Sequence, residues 1–420
     1  MRKICLTVVG IFLLFVHSFA QRSGRIDTIY EPKPLKLDEI NLVSSYYSQD
    51  GNHSPVTGGI GTEKLTDLSN GLELKFVGWD MLHNKHTLSF DLGLDHHTAA
   101  SSAYVSKTGA SKTGGTRIYP AVNWTVENTK GNSFGLGVYY SSEFNYKSVG
   151  LEMNGGKKIS SNTEINGKVS AFFDRVKMIY PSELIPTSTP INTGGGISSY
   201  TTASGRTIYV GGGESESEKA SIPSSSRNTF TASVSLAQIV NKNLDFSIST
   251  DLVQQTGFLG LPFHRVYFDD GTVHVENLPS ARTKLPIGFR LNYFMGDHFV
   301  FRTYYRYYMD NWGIRSHTAE LEIPIKFTSF VSLSPFYRYY TQTASKYFAP
   351  YEQHSFRDTY YTSNYSLSKL SSQFFGVGLH LAPPKGIFTE HINSMEVRYG
   401  HYTQSTDLYS NIISFAFTFK

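Results

Sequence analysis

The stretch from Tyr409 to Phe419 reads Y-S-N-I-I-S-F-A-F-T-F and is followed by Lys420 alone. Ile413, Phe415, Phe417 and Phe419 share one parity, and Ser414, Ala416 and Thr418 share the other. Successive side chains of a strand point to opposite faces, so this segment carries one greasy face and one small polar face. Such a strand is stable where it meets hydrocarbon on one side and water on the other.

The same period recurs along the chain. Leu244, Phe246, Ile248 and Leu252 alternate with Asp245, Ser247, Ser249 and Asp251. Leu88, Phe90, Leu92 and Leu94 alternate with Ser89, Asp91, Gly93 and Asp95. Ile287, Phe289, Leu291 and Tyr293 alternate with Gly288, Arg290 and Asn292. No segment after the N-terminal apolar run shows apolar residues at the i, i+3, i+4 spacing of an amphipathic helix. None approaches the ~20 apolar residues of a spanning helix. A chain with mean hydropathy −0.26, 28 Tyr and 29 Phe can then cross a bilayer only as a closed barrel, in which half of each strand is polar.

The N-terminus fits that route. Arg2 and Lys3 precede an apolar run from Ile4 to Val16, and Ser18-Phe19-Ala20 supplies small residues for cleavage. Residues 1–20 are read as a secretory signal peptide, with an uncleaved anchor as the alternative. Cys5 is the only cysteine and lies within that segment. The mature chain therefore lacks a disulfide scaffold, a cysteine nucleophile and a thiolate metal site. Without Arg2 and Lys3 the 38 basic residues become 36, against 34 acidic, which is no nucleic-acid footprint.

Turn signals divide the chain regularly. Short connections are expected near Met81–Lys85, Asn128–Asn132, Ser160–Asn162, Asn241–Asn243, Gly296–Asp297, Thr328–Ser329 and Pro383–Glu390. They rotate with longer ones: Gly51–Lys64, His96–Gly115, Pro181–Arg227, Phe258–Arg282, Asp310–Ser316, Ala344–Leu370 and Thr403–Leu408. A tight bend at Asn145–Tyr146 is the exception in size. Short periplasmic turns and longer outer loops are what an outer-membrane barrel has. The count is about sixteen antiparallel strands, from Asn41–Gln49 to Tyr409–Phe419, with fourteen or eighteen as neighbours.

The expected organisation is a signal peptide over 1–20, a periplasmic lead-in over 21–40 and a barrel over 41–420. Twenty residues are too few for a folded plug domain. The 181–227 connection is rich in Gly, Ser and Thr and reads as flexible, lying either outside or in the lumen. Trp79 and Trp124 suggest a periplasmic aromatic belt. Tyr139, Tyr140, Tyr307, Tyr308, Trp312, Tyr339 and Tyr340 suggest an outer one. The runner-up architecture is a secreted all-β sandwich or propeller.

Two sets of residues carry chemistry. Arg290, Arg302, Arg306, Glu320, Glu322, Arg338, Glu396 and Arg398 fall on the polar parity of their strands and are expected to line the lumen. They read either as a selective charged ladder or as pairs that brace the wall. Asp50 and His53, with Asp95, His96 and His97, lie at the outer ends of strands. They could offer carboxylate and imidazole ligands to a divalent metal. Turn chemistry, with Gly51 at positive φ, is the alternative for the D-G-N-H run. The same His and Asp residues could serve a rim hydrolase, but there is no G-x-S-x-G elbow. No catalysis and no obligatory cofactor are expected.

The stretch Y-S-Q-D-G-N-H-S-P-V-T-G-G-I-G-T-E within Ser44–Asp67 resembles a bacterial family, the domain of unknown function 3570. So does L-A-P-P-K-G-I-F-T-E-H-I-N-S-M-E-V-R-Y-G-H-Y over Leu381–Tyr402. The likeness runs over nearly the whole chain after the signal and implies an outer-membrane barrel of the bacterial envelope. It carries over no site residues. The expected role is a passive channel, or a binding and assembly platform for an envelope protein partner, in contact with outer-membrane lipid.

Overall fold

The computed structural model describes residues 31–98, 114–181, 184, 197–201, 207–211, 223–388 and 390–420. The expected signal peptide lies outside them.

Sixteen antiparallel strands form one closed wall. They are β1 (Lys33–Asp50), β2 (Leu65–Trp79), β3 (Lys85–His97), β4 (Gly115–Glu127), β5 (Ser133–Ser142), β6 (Tyr146–Ser160), β7 (Thr163–Lys177) and β8 (Ser224–Asn241). Then come β9 (Leu244–Gly257), β10 (Ala281–Met295), β11 (Phe299–Asp310), β12 (Arg315–Glu322 with Ile325–Lys326), β13 (Val331–Gln342), β14 (Leu370–Leu381), β15 (Ile392–Gln404) and β16 (Leu408–Phe419). β12 is one strand in two pieces. Pro324 has no N–H to donate, and its carbonyl instead accepts from the Val300 N–H at 3.1 Å. Each strand pairs with its sequence neighbour, and β1 pairs with β16 from Ile40↔Phe419 to Asp50↔Tyr409. That last pairing leaves the wall without an edge.

Alternation sorts the side chains as the sequence suggests. Leu92, Leu136, Leu151, Phe173, Phe230, Ile248 and Phe289 are exposed on the outer surface of the wall. Their neighbours Asp91, Gly93, Glu152, Phe172, Thr231, Ser249 and Arg290 take the other parity, toward the lumen. In water an apolar belt of that extent would be a liability; in a bilayer it is the solvated face.

One boundary and part of the aromatic belts differ from the sequence reading. β1 begins at Lys33 rather than Asn41, so Lys33–Ile40 belong to the sheet rather than to a lead-in. Beyond Ile40, where β16 ends, this extension is paired on one side only, with β2. The main-chain atoms of Leu35 and Lys33 pass within 3 Å of where a Gly78 Cβ would stand. Gly78 is what lets the extension lie down. In the aromatic belts, adjacent tyrosines split between faces. Tyr140 and Tyr339 are exposed outward. Tyr139 turns inward to donate to Asn123 Oδ1 at 2.8 Å. Tyr308 turns inward to donate to Asp310 at 2.7 Å. Trp312 leaves the belt altogether and is 2% exposed.

Candidate functional site: a charged lumen beneath interlocked loops

By the rule of short periplasmic turns, the short-turn end of the barrel is the periplasmic one. At the other end, outer loop 1 (51–64) springs from β1 and β2, and outer loop 5 (258–280) from β9 and β10. On a ring of sixteen these are opposite walls. Outer loop 7 (343–369) rises between them in the ring, from β13 and β14.

The three loops meet. Arg265 of loop 5 donates from Nη1 to the Val56 carbonyl of loop 1 at 2.7 Å, a bond that spans the mouth. Loops 5 and 7 are stitched through their backbones. Tyr361 N–H donates to the Asn277 carbonyl at 2.8 Å, and Asn277 N–H returns to the Tyr361 carbonyl at 3.1 Å. Asp269 N–H donates to the His354 carbonyl at 2.9 Å. Phe268, His274, His354 and Tyr361 form one aromatic cluster. Val266 and Thr362 are fully buried, and Phe268, His354, His264 and Arg265 nearly so. Among the described residues many of the most deeply buried side chains lie in these loops, because the wall spends its apolar residues on lipid.

Glu276 sits at the centre of that core. Thr362 donates to its Oε1 at 2.5 Å, and the Leu261 N–H donates to its Oε2 at 3.0 Å. His264 Nδ1 lies 3.5 Å from the same carboxylate, an ionic contact long for a hydrogen bond. Burial pushes the Glu276 carboxyl up, but His264 and the two donors, Thr362 and the Leu261 N–H, hold it below the ordinary carboxylate range.

The five residues considered as metal ligands are placed singly. His53 and Asp50 have separate partners. The His53 ring stacks on Tyr365 at 3.8 Å and 12°, and its Nδ1 lies 2.9 Å from the Gly59 carbonyl. Asp50 Oδ1 accepts from the Gly51 N–H at 2.9 Å. Asp95 accepts from Tyr119 at 2.8 Å. His97 faces Glu143 at 3.4 Å. His96 points to the opposite face and contacts Thr116 at 2.9 Å; consecutive strand residues cannot share a site on one face. Among the described residues no three His, Cys, Asp or Glu side chains converge. The turn alternative is also modified. The left-handed positions are Gly58, Gly59 and Gly61, with φ of 83°, 86° and 84°, and not Gly51. At Gly51 the constraint is closeness instead: a Cβ there would meet Glu63 Oε2 at 2.5 Å, and the Glu63 carboxylate would have to shift.

The lumen set does fall on one face. Glu322 joins Arg302 at 3.4 Å and Arg398 at 2.9 Å. Arg398 also holds Glu396 at 3.0 Å, and Arg338 holds Glu320 at 2.6 Å. The Glu322–Arg398 bond reaches from β12 past β13 and β14 to β15. Gly378 clears its way, since a Cβ there would lie 3.2 Å from Arg398 Cγ. Arg398 lies over the Phe336 ring at 5.2 Å. Arg290 rests over Tyr304 at 5.4 Å. These pairs brace the wall as adjacent opposite charges do, yet they are wet: the side chains of Arg302 and Arg338 are 53% and 47% exposed. A cavity of about 520 Å³ runs along β1–β7 past Glu73, Asp91, Arg117, Tyr119, Tyr139 and Phe172. Another, of about 600 Å³, lies along β5–β9.

Alternation put these charges on one parity of their strands; the ion pairs among them are what the structure adds. The loop core was missed because long connections carry no period. Its signal was composition: loop 7 holds Tyr347, Phe348, Tyr351, Phe356, Tyr360, Tyr361 and Tyr365, far more aromatic area than a solvated loop needs.

The chain belongs to the family described as Protein of unknown function (DUF3570), whose model matches residues 84–411. The match begins after the Ser44–Asp67 stretch and includes Leu381–Tyr402. No curated protein matches the chain. Among solved structures it is similar to a "Bacterial polysaccharide outer membrane secretin" at 9% identity, covering 91% of this chain and 98% of that one, TM-score 0.42. It is also similar to OpdQ of Pseudomonas aeruginosa (9% identity, 93% and 99% covered, TM-score 0.39). OccAB3 of Acinetobacter baumannii gives 9% identity, 91% and 98% covered, and TM-score 0.40.

Proposed function

We propose that this barrel is a passive outer-membrane channel for small polar solutes, with its outer mouth narrowed by loops 1, 5 and 7. The observation that supports it is the exposure of a guanidinium group well inside a closed wall. Arg338, 47% exposed and seven residues in from the periplasmic end of β13, needs water beside it, because an unhydrated charge in such a space would be costly. Sixteen strands are wide enough for an aqueous passage.

Planar-bilayer recording tests this directly. The purified protein should open stable, salt-dependent steps. Arg265→Ala, which frees loop 1 from loop 5, should raise the conductance or its noise. Electrically silent insertion of both proteins would remove the channel reading.

The interlocked loops favour a second reading, a platform for an envelope protein partner. They present a fixed outer surface, with Phe356 at 75% exposure on loop 7. A silent barrel that co-purifies with one stoichiometric partner, and loses it on Phe356→Ala, is the outcome this reading expects.

A further inference from the structure

Most lumen charges are neutralised by neighbours, as in the Arg302–Glu322–Arg398–Glu396 chain. Two groups are not. Glu73 on β2 and Asp91 on β3 are direct cross-strand partners, and like charges in that relation destabilise a sheet. Their nearest donors are neutral amides. Asn41 Nδ2 reaches Glu73 at 2.9 Å, and Asn123 Nδ2 reaches Asp91 at 3.1 Å. Arg290 on β10 and Arg306 on β11 also share a small patch. Arg290 is paired in register with Tyr304, and Arg306 with Gly288. Among the described residues neither the two carboxylates nor these two guanidiniums enter an ion pair.

Their placement is what connects them. β2 and β10 are eight strands apart on a ring of sixteen, as are β3 and β11. The acidic pair and the basic pair therefore stand on opposite walls. They also stand at one depth. Each of the four lies five to seven residues in from the periplasmic end of its strand. In a barrel whose strands share one tilt, that is the same height. Other charges face the lumen nearby: Lys75 and Arg117 on the acidic side, Asp251 on the basic side. The Arg117 Nε is engaged by Ser141 at 2.9 Å.

We infer that the lumen carries a transverse electric field between Glu73/Asp91 and Arg290/Arg306, which makes the channel selective for dipolar solutes that bear an ammonium and a carboxylate. A zwitterion can turn its cationic end to one wall and its anionic end to the other, so both walls attract it. A neutral solute gains nothing, and a simple ion is drawn by one wall and repelled by the other. Low-dielectric walls focus such a field. The inference deepens the channel reading and rests on it.

Proteoliposome swelling separates the two. The probes are arabinose, a neutral solute, and glutamine, a zwitterion of similar size. The wild type should admit glutamine roughly tenfold faster than arabinose. Neutralising all four groups (E73Q, D91N, R290Q, R306Q) should bring that ratio close to one while arabinose entry persists, which also shows that the barrel has folded. Reversal potentials in a KCl gradient give the sign. E73Q/D91N should shift the channel toward anions, and R290Q/R306Q toward cations. Swelling in arabinose with a ratio indifferent to these substitutions would overturn the inference and leave the channel standing. Failure to admit either solute would overturn the channel reading itself.

Discussion

Single residues decide most in the loop core, where Glu276 is the sharpest case. Its carboxylate is buried among His264, Thr362 and the Leu261 N–H. Glu276→Gln should destabilise the loop core by about 3 kcal/mol, since one partner of a buried pair is left alone. Faster amide exchange over 258–280 and 343–369, with the wall unchanged, is the readout. The pH dependence follows from the same group. Its folded pKa is depressed, so its stabilising contribution is complete above the unfolded value of about 4.3 and fades as pH falls through the lower folded one. Protection factors in these loops, corrected for the intrinsic exchange rate at each pH, should therefore fall at acid pH in the wild type and less so in the Gln variant. A residue-scale reading of the sequence could not place Glu276, because V-H-V-E-N has no feature that marks its carboxylate as buried. Arg302 and Glu322 were legible, because parity in a strand fixes the face whatever the partners are.

Strands impose their own constraints through close backbone approach. Gly376 on β14 faces Gly400 on β15 in register, and a Cβ at Gly376 would collide with the Tyr399 carbonyl. Backbone cannot step aside as a side chain can. Gly376→Ala should therefore break the β14–β15 ladder locally and lower the temperature at which the barrel loses its heat-modifiable gel migration. Gly93→Ala meets the Tyr119 ring first, a side chain that can rotate at the expense of its bond to Asp95, and should do less. Element ends lie within a few residues of the sequence reading at every short turn, since Asn, Asp and Gly mark most of them and Thr328-Ser329 the other. The start of β1 was not, because Pro34 and mixed charges resemble a linker. The pairing that makes Lys33–Ile40 a strand comes from β2, a partner distant in sequence.

The molecule as a whole depends on two faces meeting two solvents. Val234 and Ser235 are neighbours on β8, and Val234 is 56% exposed on the outer face. Val234→Arg should cost about 2–4 kcal/mol of barrel stability in lipid, and Ser235→Arg close to nothing. Urea titration in liposomes measures both; equal costs would mean that the faces are misassigned. The closed architecture was legible from alternation and turn spacing. The convergence of loops 1, 5 and 7 was not, since it depends on which strands end up diametrically opposed, and that emerges only when the ring is complete.

The seam between β1 and β16 joins residues near the two ends of the sheet, Ser44 beside Phe415. Every other hairpin can form from local sequence, but this ladder requires nearly the whole chain to be present. Until it zips, the nascent sheet exposes two raw edges and a hydrocarbon-loving face to the periplasm. Closing the seam removes both edges at once. A lesion there, such as Phe415→Asp, should be seen as protein degraded before insertion.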